Sequence, residues 1–417
     1  MSTIFSASAG DTFETVARIA YGTEQETRRI RDANPGATEP FAAGTELTVP
    51  DLSGAPSDLT AATLTDSLEE TAVLIEGRRF RFWETIRITR AIDAMDTLEL
   101  GAPFEATVPG FRDTFRPFSY KRAEVTVGGE PLFTGTMVGV VPVIEPSRKV
   151  ISTSSYSLPG VLNDCTAPAS AFNSGENQLV FLSQNLRDIA IKLAGFFGLS
   201  VVFDGDPGAP FDPQVALKSG KKVFSFLADL AKQRNLIISS TPKGELLFLR
   251  STAVGQPVAQ LRQGESPLLS ITPFFSPQDY FSHVTGLEPV LVGLGGSQFT
   301  VKNPRLQGVV RPITFEASDA ISADVKAAVE AKAGRMFGNA ASYSATVSAW
   351  RDPSGALWAP NTTVTLEAAD AMIYSSYAFI VRSVEFIRER SSETAVLNLV
   401  IPGSFSGEIP ETLPWDG

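Results

Sequence analysis

Histidine and cysteine are nearly missing: the chain has one of each in 417 residues. A lone Cys165 cannot close an intrachain disulfide. A zinc site of four cysteines, or of two cysteines and two histidines, is impossible. Any Ser-His-Asp arrangement would have to use His283. A basic surplus is also missing. Lys and Arg number 35 against 46 Asp and Glu, a net charge of −11. Phosphate binding needs the opposite balance, so wrapping nucleic acid is excluded as the main task. No apolar run approaches the roughly 18 residues of a membrane span. The stretch from Leu193 to Phe203 is broken by Gly195, Gly198 and Ser200. The start, MSTIFSASAG, has neither the basic segment nor the apolar core of a secretory leader. The expectation is synthesis in a cytoplasm, with any exit as part of something larger.

What is present is an ordinary globular composition, with 43% hydrophobic and 19% charged residues. At roughly 150 residues per domain, this length predicts two to four domains. Residues 1–50 read as one β-α-α-β unit. A short strand at Ile4–Ser8 leads to the turn Gly10-Asp11-Thr12. Asp11 or Thr12 can cap a helix carrying Phe13, Val16, Ala17 and Ala20 at helical spacing. A second helix is predicted over about Glu24–Ala33, stopped by Asn34-Pro35-Gly36. Leu47–Pro50 reads as the closing strand.

The segments GDTFETVARIAYG, IRDANP and AGTELTVP, in that order and spacing, resemble a LysM domain. That resemblance implies a groove for N-acetylglucosamine polymers, formed here by Gly10, Asp11, Thr12, Asn34 and Pro35. The plainer reading makes Asp11 a helix cap, Asn34 a C-cap and the module a docking piece, because a fold does not fix a function.

Residues 51–71 are small, polar and marked by Pro and Gly, and read as a linker. From 72 the pattern turns to strands. Phe80, Phe82, Ile86 and Ile88 alternate with polar residues, the period of a half-buried strand. Val125–Val127, the pair Gly128-Gly129, and Phe133–Val141 make a hairpin signal. Residues 72–170 are thus expected to be a first antiparallel β-barrel domain. Residues 171–259 read as an α/β domain. Its helices are predicted at about 184–196 and 222–234, with a strand at Val201–Phe203 and a hairpin through Pro242-Lys243-Gly244. Residues 260–405 read as a second β-barrel domain with one helix at about 320–337. Strands follow at Ala345–Trp350, Thr362–Leu366, Ala378–Phe386 and Thr394–Ile401. Residues 406–417 are a Pro-rich acidic tail, expected to order only when docked. The fold class is therefore mainly β with an α/β portion, in several domains.

Catalytic and cofactor patterns are near misses. Gly293–Gln298 resembles GxGxxG but lacks the last glycine and a following βαβ unit. Asp204, Asp206 and Asp212 lie in a Gly/Pro loop without the calcium-hand spacing. His283 beside Phe281 reads as a packed or rim residue, and Cys165 as a small buried hydrophobe. Glycoside hydrolysis needs only two carboxylates, yet no acid pair stands out. No enzyme, metal or cofactor is expected.

Six further segments, in order, resemble the central baseplate hub proteins of contractile phage tails, of the phage Mu type. They are FRFWETIRITRAIDAMDTLEL, with its Arg-x-hydrophobic-Asp turn; VTVGGEPLFTGTMVGVVP, with its Phe-Thr-Gly element; YSLPGVLNDCTAP; NLRDIAIKLAGFFGLSVVF; KVFSFLADLAKQRNLIISSTPKGELLFLR; and AWRDPSGALWAPNTTVTLEAADAMI with FIVRSVEF and LNLVIPGSF. The resemblance implies a homotrimeric virion ring with two tube-like barrels per copy. The ring would join a sixfold tail tube to a threefold central spike and line the channel for genome ejection. It would be assembled in the host bacterial cytoplasm. Implied partners are other copies of the chain, the tail tube or distal tail protein, the spike, and a wedge or tape-measure protein. Peptidoglycan is a further candidate, and DNA would only pass through the lumen, where an acidic lining would not hold it. The alternative is a tail-associated protein that binds or degrades peptidoglycan through the LysM module.

Overall fold

The computed structural model describes residues 2–7, 9–21, 27–50, 70–107, 109–145, 148–172, 177–234, 236–251, 255–288, 296–306, 308–316, 325–389, 392–405 and 412–416. Most of the linker reading, the Gly293–Gly295 loop and the first part of the acidic tail lie outside these residues. The fold is mainly β. It divides into two units, residues 1–86 with 98–156, and residues 87–97 with 157–417. Among the described residues no helix is long and apolar enough to cross a membrane.

The first unit begins with strand β1 (Ser2–Ser6), helices α1 (Phe13–Tyr21) and α2 (Thr27–Ala33), and strand β2 (Glu46–Pro50). β1 and β2 pair antiparallel with Ile4 opposite Thr48. Phe13, Val16, Ala17, Ile30, Phe41, Leu47 and Val49 form a buried core, and the rings of Phe13 and Phe41 meet edge to face at 4.9 Å. The i, i+3, i+4 spacing of Phe13, Val16 and Ala17 puts all three on that one face.

β3 (Thr71–Ile75), β4 (Arg78–Phe80), β5 (Thr85–Ala91), β6 (Thr97–Pro103), α3 (Pro109–Thr114), β7 (Arg122–Val127), β8 (Glu130–Glu145) and β9 (Arg148–Ser157) follow. The sheet order is β6-β9-β8-β7-β3-β4. Two expectations are corrected. The Phe80–Ile88 alternation is not one strand: β4 ends at Phe80, and Arg81–Glu84 lie between it and β5. The alternation survived because Phe82 belongs to a phenylalanine cluster with Phe80 and Phe111, which needs no strand geometry. Thr71, assigned to the linker, already starts β3 and is buried opposite Val127. The glycine pair makes its hairpin as expected, with φ of 58° at Gly128 and 85° at Gly129. Gly135 is needed for a different reason. A Cβ there would lie 2.1 Å from the Tyr156 carbonyl oxygen and 2.4 Å from the Phe133 ring.

In the second unit, helix α4 (Val161–Asp164) precedes β10 (Gln178–Leu182), α5 (Leu186–Gly195), β11 (Val201–Asp204), β12 (Gln214–Lys218), α6 (Val223–Gln233), β13 (Ile237–Ser240) and β14 (Leu246–Leu249). Asn185 caps α5 by accepting the Asp188 N–H at 2.9 Å. Leu186, Ile189 and Leu193 of α5 and Val223, Leu227 and Leu230 of α6 share one buried core with Phe181 and Phe248. β14 pairs antiparallel with β13 and parallel with β11. The parallel pair requires a long crossover, which includes α6. Cys165 is half-buried, less enclosed than expected, because it follows α4 at a strand-like turn whose carbonyl accepts the Val223 N–H.

β15 (Pro257–Arg262), β16 (Leu268–Phe275), β17 (His283–Leu287), β18 (Gln298–Lys302), β19 (Pro312–Glu316), α7 (Val325–Ala340), β20 (Ala341–Val347), β21 (Thr363–Ala368), β22 (Ile373–Glu389) and β23 (Ser392–Val400) complete the unit. β16-β20-β23-β22 is antiparallel, with β21 also on β22. Purely antiparallel pairing is corrected at two places: β15 runs parallel to β21, and β19 parallel to β17. About a hundred residues separate β15 from β21, long enough for the return a parallel pair needs. Trp350 stands beyond β20 and is fully buried, its Nε1 donating to the Thr394 carbonyl at 2.9 Å. The acidic tail is ordered on its own chain at residues 412–416. Leu413 is buried, Trp415 meets Phe275 edge to face at 5.5 Å, and Asp416 pairs with Arg305 at 2.6 Å.

Candidate functional site

Two groups of polar side chains are candidate sites: the turn residues of the first 50, and a buried cluster in the second unit. In the first, Thr12 is the helix cap. Its Oγ1 accepts the Thr15 N–H at 3.3 Å. Asp11 is 5% exposed, and its backbone carbonyl accepts the Phe41 N–H. Asn34 donates from Nδ2 to the Ile30 and Thr48 carbonyls at 2.8 and 2.7 Å, while its Oδ1 accepts the Thr48 N–H at 2.7 Å. Gly10 and Pro35 are exposed, Gly10 with φ 92°. Three of the five groove residues therefore spend their polar groups or their surface inside the module.

The second cluster surrounds Asp96, which is 1% exposed. Its carboxylate accepts Arg90 Nε–H at 3.2 Å and the Ala91 N–H at 3.3 Å. Its own N–H donates to Ser240 Oγ at 3.1 Å, and Ser239 Oγ–H donates to the Ala91 carbonyl at 2.6 Å. The turn 91–96 is thereby stitched to β13. On its other side Ile92 N–H donates to the Arg382 carbonyl, and Arg382 grips Asp93 with bonds of 3.3 and 2.9 Å. Burial pushes the Asp96 carboxyl up to about 6, outweighing Arg90 and the hydrogen bonds that pull it down. A cavity of about 140 Å³ beside it is lined by Arg90, Asp204, Ser239, Ser240 and Asn361 and equally by apolar residues, among them Ile92, Leu247 and Leu249. That is well below the roughly 300–1,000 Å³ of small-molecule sites. The cluster's work is to fix a turn.

The family resemblance marks Arg90–Asp93 as a turn but does not mark Asp96. Its burial depends on Ser239 and Ser240, which lie more than 140 positions away. Chemistry is thinly represented elsewhere. Among the described residues no three His, Cys, Asp or Glu side chains gather as a metal site. His283 Nδ1 is bonded to Ser282 Oγ at 3.0 Å. Asp204, Asp206 and Asp212 are exposed, and Asp206 accepts the Gly208 N–H as a turn residue.

The architecture is that of phage tail proteins. The 43 kDa tail protein of prophage MuSo2 from Shewanella oneidensis superposes with a TM-score of 0.68 at 25% identity, covering 81% of this chain and 99% of that one. A tail protein from Neisseria meningitidis MC58 gives 0.66 at 20% identity, covering 81% and 98%.

At the level of sequence, residues 159–250 match the family described as baseplate hub protein gp44-like, second domain. The chain is 25% identical over 313 residues to baseplate hub protein gp44 of Escherichia phage Mu, covering 70% of this chain and 78% of that protein. This homology to a structural hub protein supports a structural role in a tail baseplate, and a place in the virion tail.

Proposed function

We propose that this chain is the central hub of a contractile tail baseplate, a homotrimeric ring that joins the sixfold tube to the threefold spike and encloses the channel for the genome. The match of residues 159–250 to the hub's second domain carries the reading. The antiparallel pairing of β3, β7 and β8, and that of β16, β20, β23 and β22, support two tube-like barrels per copy. Strand edges of such barrels are hazards in a lone chain and are removed by pairing in a closed ring. The tube, the spike, and a wedge or tape-measure protein are its partners, and the net charge of −11 lets DNA pass without sticking.

Residues 1–50 are proposed to be a LysM module used for docking. The internal use of Asp11, Thr12 and Asn34 supports docking over glycan reading. Microscopy of the purified protein with its spike tests the hub. Threefold rings are expected, and a monomer that clears a peptidoglycan suspension would refute it. Sedimentation with purified peptidoglycan tests the module. Protein left in the supernatant is the expected result.

A further inference from the structure

The segment Arg116–Lys121 of the first unit holds two exposed aromatic side chains on an unusual backbone. Phe118 is 87% exposed and Tyr120 62% exposed. Both have left-handed backbone, with φ of 58° and 49°. For aromatic side chains that conformation is costly, and it persists only where the surroundings hold it. Here they do. Phe111 and Phe115, at and just after the helix before the loop, are buried in a cluster with Phe80, Phe82 and Phe104, with centroids 5.4–6.5 Å apart. Ser119 Oγ–H donates to the Arg116 carbonyl at 2.7 Å, Lys121 Nζ donates to the Asp113 carbonyl, and the Met137 N–H donates to the Lys121 carbonyl at 2.8 Å. Two phenylalanines anchor the loop from beneath, while the next two aromatics are held outward. Such rigid, pre-ordered aromatics lose little freedom on docking and make strong anchors.

The segment is also basic. From 112 to 121 the chain carries Arg112, Arg116 and Lys121 against a single acid, Asp113, although its net charge is −11; the next residue, Arg122, is paired with Glu124 and adds nothing to that surplus. A surface of that sign is complementary to the rest of another copy of the same acidic chain. We propose that Phe118 and Tyr120 are the anchors by which one copy docks on an acidic, partly apolar surface of the next. The contact is heterologous, of the kind that closes a ring. It rests on the homotrimer reading above and assigns a contact within it.

Mass photometry and light scattering of the full chain across a dilution series test this, using wild type, Phe118→Ala/Tyr120→Ala, Phe118→Gly and Arg116→Glu. The trimer of each variant is expected to dissociate at about tenfold higher concentration than wild type or more. Phe118→Gly separates assembly from folding. Glycine accepts the left-handed backbone, so its melting temperature at high dilution should not fall while its trimer weakens. Variants that stay trimeric to the same dilution as a trimeric wild type would overturn the proposal and leave the hub standing. A wild type that is monomeric at every concentration, alone and with its spike, would overturn both.

Discussion

Asn34 presents its carboxamide to the backbone of Thr48 as a neighbouring strand would, accepting the Thr48 N–H at 2.7 Å and donating to the Thr48 carbonyl at 2.7 Å. β1 occupies one side of β2. The side chain of Asn34 extends that pairing, and its second donor holds the Ile30 carbonyl at the end of α2. One residue thus ties helix to sheet. Removing it leaves backbone groups without partners, at a cost of about 1–3 kcal/mol. Asn34→Ala is expected to raise amide exchange across Glu46–Val49 by about tenfold or more in the intact chain, with little change in β13 or β14. Unaltered exchange at 46–49 would remove the clamp. A loss of glycan binding in this variant would report unfolding, so Pro35 is the better probe of any groove.

Asp96 sets a pH dependence whose sign follows from its burial. Its folded carboxyl sits at about 6 against an ordinary value of 3.8. The folded chain therefore holds a proton that the unfolded chain gives up. The stabilisation is complete below 3.8 and is lost as pH rises through about 6. The difference corresponds to about 3 kcal/mol. Asp96→Asn keeps a neutral acceptor for Ala91, and Arg90, 14% exposed at its side chain, can turn to water. Melting curves of wild type and Asp96→Asn should coincide near pH 4, separate as pH rises from about 4 to about 6, with the variant the more stable, and keep a constant gap above that. Parallel curves over that range would show that Asp96 does not titrate there.

Gly135 bears on packing within the first unit's sheet. The 2.1 Å approach of a methyl group to the Tyr156 carbonyl oxygen is against backbone, which yields little, and the Phe133 ring closes the other side at 2.4 Å. Gly135→Ala should cost about 1–3 kcal/mol, read as a lower urea midpoint at unchanged slope. Gly195→Ala, with open space at its Cβ, is the control and should be close to neutral or stabilising.

Local signals were legible and distant ones were not. The helix from Phe13 could be read because Phe13, Val16 and Ala17 repeat at helical spacing, and the turn at Gly128-Gly129 because its residues must tolerate positive φ. The break between β4 and β5 was hidden. Phe82 keeps the alternation while answering to Phe111, nearly thirty residues on. The parallel placement of β11 on β14 and the burial of Asp96 depend on partners far along the chain. Asn34 was visible as a residue of consequence, but its partner Thr48 was not, since a carboxamide suits a cap, a glycan or a strand edge equally. The exposed pair Phe118 and Tyr120 gave no sequence signal, because aromatics in a β-rich chain are expected inside.

The segment Thr412–Asp416 packs on β16 and β22 through Trp415 and Thr412. In Thr412–Asp416, Trp415 meets Phe275 edge to face at the end of β16, a strand whose Leu269, Phe274 and Phe275 all remain exposed. Tyr377 O–H donates to the Thr412 carbonyl at 2.8 Å, and burial pushes the Tyr377 phenol up to about 12. If the segment docks in this way, Leu413→Ala/Trp415→Ala should do two things together. It should lower stability by about 2–5 kcal/mol, through the loss of buried apolar surface. It should also bring the Tyr377 titration down towards 10, because water reaches the phenol. The first is read from the urea midpoint. The second is the difference between ultraviolet titrations of the variant with and without Tyr377→Phe. A fall in stability with the phenol still near 12 would mean that Tyr377 is buried by the sheet itself, and that the tail adds packing without shielding it.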